Sequence, residues 1–407
     1  MIKKLKSVFR SWFRKKIRVV FICHRPAVWG SLDNLFNEFR LRPEFAVTIV
    51  AVPNKVQDPR LGFNHENYQT EGAEAFFSNF PCNVVNGYNY ESGEWFDIKK
   101  LKPDYVFFQQ PYDVFRPEEL KSRRVSKFSK ICYIHYACNF IGGGVFEETY
   151  PADFFRNVNF IFSQGNYDQE MIRNYLESKN ISAVPVVTGF PRYDNTSNWS
   201  SRASSWKRIN DSSAGKKFLW TPRWTTNEGT CTFFDYKDTL LTYFQRQENK
   251  KAFLLFRPHP QSFQEWAATG EMNVCEQKKF RDTISRSSNI AIDNCADYFG
   301  TIAESDALIS DASSFIADFF LSGKPIIYCH KKDRFNDFSK KLSEGFYWAR
   351  SPDELIYYIE QIQLGIDPLK SKREKLIKEL FYFNNERASV TIANFLINNF
   401  YHEKYKN

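Results

Sequence analysis

The chain has 407 residues, 43% of them hydrophobic and 25% charged, which is enough for two hydrophobic cores of ordinary size. No stretch approaches the roughly 20 apolar residues of a membrane-spanning helix, and the N-terminus lacks the apolar core of a cleavable signal peptide. The formal net charge is +9, of which residues 1–16 supply +7; the nearly neutral remainder argues against a nucleic acid partner.

Residues 1–16 combine seven lysine and arginine side chains with apolar residues at helical spacing, namely Ile2, Leu5, Phe9 and Trp12. This pattern predicts a basic amphipathic helix that lies in the headgroup layer of an anionic membrane. Each cation near such a surface contributes about 1 kcal/mol, so the segment can hold the protein reversibly on the membrane. The alternatives are a solvated tail and a helix docked on the rest of the protein.

From residue 17 onward, apolar runs alternate with helical stretches, a pattern typical of doubly wound α/β domains. The first domain, residues 17–200, has these predicted strands: Ile17–Cys23, Phe45–Val52, Tyr105–Phe108, Ile131–Ile134, Phe160–Ser163 and Val184–Thr188. Residues 195–215 are rich in Ser, Asn and Trp and lack a period, so they predict an interdomain linker. The eight cysteines show no zinc-site or disulfide spacing, so we expect them to be reduced and mostly buried.

The second domain, residues 201–407, begins with an apolar strand at Phe218 that Pro222 ends. Arg223, Thr225 and Glu228 follow in the next loop. Arg223 can pair with phosphate oxygens, and Glu228 can accept hydrogen bonds from a ribose or a base. Alternatively, Arg223 is a surface cation stacked on a neighbouring tryptophan.

A second apolar strand, Phe253–Phe256, stops at Arg257-Pro-His-Pro260. Because proline fixes φ and cannot extend a ladder, the two prolines hold His259 in a stiff loop at the carboxyl end of the strand. Arg257 can pair with phosphate, and His259 can donate a hydrogen bond or a proton to a leaving phosphate.

A third strand, Ala307–Ile309, runs into the polar turn Ser310-Asp-Ala-Ser-Ser314 and then into a helix that Gly323 and Pro325 end. The turn predicts an anion site at a helix start, with Ser310, Asp311, Ser313, Ser314 and Asp318 as donor-binding candidates. The alternative is that these side chains merely cap a structural helix. Three such strand ends in one sheet would surround a nucleotide diphosphate.

These motifs carry a resemblance. The sequence Arg257-Pro-His-Pro260, followed by residues 305–314 and by Gly323-Lys-Pro-Ile-Ile-Tyr328, is similar to the signature of the CDP-glycerol glycerophosphotransferase family of teichoic acid polymerases and capsule-synthesis transferases. Further similar segments lie at residues 27–35, 107–113, 132–136 and 188–192. The resemblance covers most of residues 17–390.

The resemblance implies a GT-B-like α/β fold, with two Rossmann-like domains facing across a cleft and an acceptor side in the first domain. It also implies that His259 contacts the donor phosphates and that Asp311 to Ser314 bind a CDP-linked donor. The polymerases place a further histidine in a His-Gly segment of the first domain. Here His135 is the nearest match but lacks the glycine, and His24 is the other candidate for the base.

We therefore expect a transferase that moves an alditol phosphate from a CDP-alditol co-substrate to a cell-surface glycan or polyol-phosphate acceptor, releasing CMP. No cofactor is expected, and no metal, because the chain has neither an Asp-X-Asp triplet nor a metal-spaced Cys/His cluster. The expected location is the cytoplasmic face of the bacterial membrane. Two alternatives stay open: a GT-B glycosyltransferase that uses a nucleotide sugar, and a non-catalytic scaffold of a polysaccharide assembly complex.

Overall fold

The computed structural model describes residues 15–55, 67–138, 151–209, 215–246, 251–295, 297–332, 334–381 and 386–404. The predicted amphipathic helix of residues 1–16 lies outside this range except for its last two residues. Two compact units are present. The first contains the described residues up to Ala137, the residues from Pro151 to Asp194, and those from Phe381 onward; the second contains Asn195–Leu380.

The first unit is built on a seven-stranded sheet in which every pair of neighbours is parallel. Its strand order is β11-β10-β9-β8-β1-β2-β5, and two short antiparallel hairpins, β3·β4 and β6·β7, lie outside it. The strands are β1 Ile17–Cys23, β2 Phe45–Ala51, β3 Asn54–Lys55, β4 Tyr68–Gln69, β5 Asn83–Asn86, β6 Tyr88–Asn89, β7 Glu94–Trp95, β8 Tyr105–Phe108, β9 Lys130–Ile134, β10 Phe160–Ser163 and β11 Val184–Val187.

The second unit contains a six-stranded sheet, also parallel throughout, with the order β14-β13-β12-β15-β16-β17. The central strands are buried on both faces, which is why they read in the sequence as unbroken apolar runs. The strands are β12 Lys216–Thr221, β13 Ala252–Phe256, β14 Ile290–Ile292, β15 Ala307–Ser310, β16 Ile326–Cys329 and β17 Tyr347–Ala349.

Helices connect the strands in both units, as parallel pairing requires. Those of the first unit are α1 Asp33–Leu41, α2 Ala73–Phe77, α3 Ser122–Val125, α4 Ala152–Phe155 and α5 Asn166–Ser178. Those of the second unit are α6 Phe233–Gln245, α7 Ser262–Ala268, α8 Val274–Ser285, α9 Phe299–Glu304, α10 Phe315–Phe320, α11 Asp337–Leu342, α12 Pro352–Gln363 and α13 Lys370–Leu380.

The last helix, α14 Ala388–Lys404, belongs to the first unit, whereas the predicted domain boundaries assign it to the second. The carboxylate of Asp194 accepts hydrogen bonds from the first backbone N–H groups of α14, at Ala388 (2.6 Å) and Ser389 (2.9 Å). Phe395 packs against Phe160 with ring centroids 5.0 Å apart. A capped start and an aromatic contact with the sheet explain why this helix completes the first core.

The stretch predicted as a linker is instead part of the second unit over residues 195–209. Trp199 stacks on Phe299 with ring centroids 4.6 Å apart, and the indole of Trp206 is buried and donates a hydrogen bond to Ser305 Oγ (2.9 Å). The linker prediction is wrong because two tryptophans bury more area than a mobile connection would. The second unit therefore begins at Asn195.

All eight cysteines are free, and five of them are buried, so most are buried as predicted.

Candidate active site

The carboxyl ends of β12, β13 and β15 carry the three polar segments that the sequence singles out. β12 lies between the other two strands, and Thr221 at its end is in register with Ser310. Because the strands are parallel, the segments that start at Arg223, Arg257 and Asp311 leave the sheet at one edge. The structure thus brings the predicted donor-binding segments together, at the place where α/β sheets bind nucleotides.

Asp311 lies beneath this edge and is fully buried. Its carboxylate accepts hydrogen bonds from the backbone N–H of Arg223 (2.6 Å) and from the N–H and hydroxyl of Thr232 (2.7 and 2.9 Å). Burial raises the pKa of Asp311 to about 7, and the three hydrogen bonds oppose that rise. The sequence predicts Asp311 as a donor ligand, but here its carboxylate holds the Arg223 loop and the start of α6 in place.

Ser310 is likewise buried and joins two strands. Its hydroxyl donates to the carbonyl oxygen of Thr221 (2.7 Å) and accepts from the Thr221 hydroxyl (3.0 Å). Because both hydrogen bonds stay inside the sheet, they give Ser310 a structural role that differs from the predicted donor contact.

The loop after β12 is held by two carboxylates. Arg223 donates to both carboxylate oxygens of Glu228, from Nη2 at 2.7 Å and from Nε at 3.0 Å. Thr225 is buried, and its hydroxyl donates to Glu265 (3.1 Å). The two predicted ligands Arg223 and Glu228 therefore face each other as a half-exposed, bidentate pair, which fixes the orientation of the guanidinium group.

Arg257 pairs with a buried carboxylate that follows the neighbouring strand β14. Its Nη1 donates to Asp293 (2.6 Å) and to the carbonyl oxygen of Cys295 (2.9 Å), and its guanidinium group lies over the ring of Tyr298, 4.7 Å from the centroid. The hydroxyl of Tyr298 in turn donates to the buried carboxylate of Asp318. These contacts hold Arg257 rigidly at the edge, and they link it to Asp318 through an aromatic ring.

His259 is the exposed member of this group. Its Nδ1 accepts a hydrogen bond from the backbone N–H of Gln261 (3.2 Å), and its ring lies 5.9 Å from the ring of Trp224. With Nδ1 as an acceptor, the proton of the neutral imidazole sits on Nε2. The Pro-His-Pro loop thus places this imidazole at the carboxyl edge of the sheet.

Ser313 and Ser314 are half-buried at the start of α10. Ser313 Oγ accepts from the N–H of Phe315 (3.3 Å), whereas the Ser314 side chain makes no capping hydrogen bond. The helix itself has only six residues. Only Ser313 therefore makes a hydrogen bond typical of a helix start. Because the helix is so short, its dipole is weak.

In the first unit, His24 and His135 follow β1 and β9, and β8 lies between these two strands. Both imidazoles are buried. His24 Nε2 is 2.8 Å from Oε1 of Gln110, which follows β8. Burial is the main cause that lowers the pKa of His24 to about 4, and burial lowers the pKa of His135 to about 3. Both histidines are therefore neutral near pH 7.

Arg116 lies near this edge and is also buried. It donates to Asp113 (2.7 Å) and to the carbonyl oxygen of Gln110, and its guanidinium group lies 4.3 Å from the ring centroid of Phe108. Asp113 also accepts a hydrogen bond from Ser122 Oγ (2.6 Å). These contacts make Arg116 and Asp113 a clamp on the loop after β8.

The sequence patterns do not single out three residues that lie near the carboxyl ends of the two sheets. Gln110 contacts His24, and Tyr298 stacks on Arg257. Lys332 lies beside Gly229, where its Cδ is 3.6 Å from the place that a Cβ would occupy if the glycine were replaced by alanine. Lys332 belongs to a basic run that follows β16, so charge at a strand end could have identified it. Gln110 and Tyr298 had no signal of their own, since their roles depend on which strands are neighbours.

No set of three His, Cys, Asp or Glu side chains in the described ranges is arranged to hold a metal ion. The helices of those same ranges include none with the length and hydrophobicity to cross a bilayer.

Comparison with known proteins decides the family. The family model of CDP-glycerol:poly(glycerophosphate) glycerophosphotransferases matches residues 152–398, more than half of the chain. The chain belongs to this family. It is a CDP-glycerol glycerophosphotransferase-like transferase, as predicted. No curated protein matches it by sequence.

Solved structures support the fold. A UDP-N-acetylglucosamine 2-epimerase is 14% identical, with a TM-score of 0.62 over 96% of this chain and 97% of the other. A putative epimerase of the same name from Listeria monocytogenes is 12% identical, with a TM-score of 0.63 over 95% and 98%. A variant of the wall teichoic acid polymerase TagF soaked with CDPG is 13% identical, with a TM-score of 0.56 over 98% and 92%. The predicted GT-B-like α/β class is confirmed.

Proposed function

We propose that this family member transfers glycerol phosphate, or a related alditol phosphate, from a CDP-linked donor to a hydroxyl of a cell-surface glycan or polyol-phosphate polymer. The observation that carries the proposal is that Arg223, Arg257 and the exposed His259 all follow neighbouring parallel strands at the carboxyl edge of the second sheet. This sheet lies inside the part of the chain that matches the family model.

In the proposed step, the oxygen of an acceptor hydroxyl attacks the β-phosphorus of the CDP-alditol. The bond from that phosphorus to the bridging oxygen breaks, and CMP leaves with the bonding electron pair. The hydroxyl proton passes to a base, for which His24 and His135 remain the predicted candidates. Such phosphoryl chemistry needs positioning and charge stabilisation more than covalent help.

His259 donates its Nε2–H to the bridging oxygen as negative charge develops on CMP. Arg223 shares its guanidinium group with Glu228 in a pair whose side chains are 18% and 23% exposed, so a phosphate that reaches Arg223 can replace Glu228 as its partner and release that carboxylate to a ribose hydroxyl. Arg257 has the buried Asp293 as a permanent counter-charge and keeps the Pro-His-Pro loop in position.

The reaction is proposed to need no metal ion, because the sequence lacks an Asp-X-Asp triplet and the edge instead offers guanidinium groups and an imidazole. We expect CMP release from CDP-glycerol or CDP-ribitol in the presence of a glycan or poly(glycerol phosphate) acceptor, at a rate that EDTA does not change. Chromatography of the released nucleotide measures it. Nucleotide release from UDP or GDP sugars instead would identify a glycosyltransferase, and loss of activity in EDTA would contradict metal independence.

Residues 1–16 are proposed to hold the enzyme on the inner face of the cell membrane. The full chain is expected to co-sediment with vesicles of phosphatidylglycerol at low salt and to dissociate as salt screens the contacts. Vesicles of phosphatidylcholine and a variant with Lys3, Lys4 and Lys6 changed to Gln are the controls. Equal binding to both lipids, or full binding by the variant, would refute the proposal.

A further inference from the structure

The two small hairpins of the first unit carry an exposed aromatic cluster. It consists of Tyr68 on β4, Tyr88 on β6, Trp95 on β7 and Tyr90 in the turn between β6 and β7; we call it the aromatic platform. Trp95 lies 4.5 Å from Tyr88 and 4.8 Å from Tyr68, and Tyr88 lies 5.0 Å from Tyr90, measured between ring centroids. Tyr90 is 57% exposed, and the other three rings are half-buried.

Polar groups surround the platform. The hydroxyl of Tyr90 donates to Glu74 (3.0 Å), and Asn89 Oδ1 accepts from the backbone N–H of Glu91 (2.9 Å) and of Ser92 (3.2 Å). Sugars match such a surface, because the C–H face of a pyranose packs on an aromatic ring while its hydroxyls bond to the polar rim. Tyrosine and tryptophan suit this contact, since each has an apolar body and a polar tip.

The charges around the platform favour a neutral glycan over a polyol-phosphate polymer as the acceptor. The turn between β6 and β7 and the helix beside it place two carboxylates next to Tyr90, those of Glu74 and Glu91, whereas Glu94, opposite Asn89, lies on the other face of the hairpin. Among the described residues, Lys55 lies over one of the platform's rings, 5.3 Å from the centroid of Tyr68. A polyol-phosphate chain would bring its negative phosphates against these carboxylates, at a cost that a neutral sugar avoids.

The platform is tied to the edge that carries His24. Glu71, just after β4, accepts hydrogen bonds from Arg25 Nη2 (2.7 Å) and from Asn54 Nδ2 (2.8 Å). Arg25 directly follows His24, and Asn54 pairs with Gln69 in the β3·β4 hairpin. A chain bound on the platform is thus held on the same unit, and next to the same loop, as a candidate base.

We propose that the aromatic platform binds neutral sugar units of the acceptor, so that the acceptor is a glycan and not a polyol-phosphate polymer. This inference rests on the proposed transferase function and specifies its acceptor. It assigns the platform to acceptor binding, while the donor is bound by the second unit.

Saturation-transfer NMR and calorimetry on the full chain test the proposal, with cellohexaose, chitohexaose and poly(glycerol phosphate) as probes. We expect a neutral hexasaccharide to bind, and Tyr90→Ala to weaken its affinity about tenfold because a stacked ring is lost. Tyr90→Phe keeps the ring and is expected to retain binding. The matched control is Tyr357→Ala, since Tyr357 is 55% exposed and lies in the second unit.

Three results would overturn the proposal: neither hexasaccharide binds, Tyr90→Ala binds as wild type does, or poly(glycerol phosphate) is the probe that binds through Tyr90. CMP release from CDP-glycerol is measured separately on the wild-type chain. Failure of that reaction counts against the transferase function, whereas failure of sugar binding with normal CMP release counts against the platform.

Discussion

His259→Ala is expected to lower kcat for CMP release by about 10²–10³-fold, the usual effect of removing one donor that stabilises developing charge. The stability of the fold should change little, because the imidazole is exposed. Steady-state kinetics with CDP-glycerol, together with thermal unfolding of the same preparation, measures both effects.

Two further variants sharpen this test. His259→Gln can return an N–H donor close to the position of Nε2, so it should recover part of the lost rate. His402→Ala replaces another exposed histidine, in the first unit, and should leave the rate unchanged. If His259→Ala turns over normally while folded, His259 does not contact the leaving phosphate.

Acid is expected to destabilise the first unit because His24 and His135 are buried as neutral imidazoles. Their folded pKa values of about 4 and about 3 lie below the unfolded value of 6.5, so protons bind the unfolded chain first. The stabilising contribution is present above pH 6.5 and is lost as the pH falls toward these folded values. By pH 4 the loss is about 3 kcal/mol for each histidine.

Urea unfolding between pH 7.5 and pH 4 measures this loss, with pulsed hydrogen exchange and mass spectrometry to follow first-unit peptides. His24→Gln, which keeps an amide for Gln110, and His135→Phe, which keeps a buried ring, should each flatten the pH profile. His259→Ala serves as the control, since its exposed imidazole lies in the other unit. A first unit equally stable at pH 7.5 and pH 4 would show that the histidines are not buried as described.

Much of the fold could be predicted because parallel central strands are apolar throughout. β1, β8 and β10 have the predicted bounds. β5 and β17 were missed, since Asn83–Asn86 has two apolar residues between two asparagines and Tyr347–Ala349 has only three residues. Strands this short carry no period, and their place in a sheet depends on a neighbouring strand far away in the sequence.

The sequence predicts which side chains lie at the candidate site, but not which of them form ion pairs or hydrogen bonds with one another. The order of the strands brings Arg257 and Asp293 within 2.6 Å although 36 positions separate them. Asp311 and Arg223 meet across 88 positions in the same way. A sequence pattern shows which polar residues end a strand, whereas burial and pairing depend on which strands are neighbours. Arg257 is therefore a partner of a protein carboxylate as well as a candidate phosphate ligand.

The return of α14 to the first unit determines when that unit can be finished during protein synthesis. α14 supplies Phe395 as a partner of Phe160 and Asn399 as a partner of the Tyr105 hydroxyl. The ribosome has by then made all of the second unit, whose sheet uses none of those final residues. A nascent chain therefore carries an incomplete core of the first unit until α14 has been made, which is after the whole of the second unit.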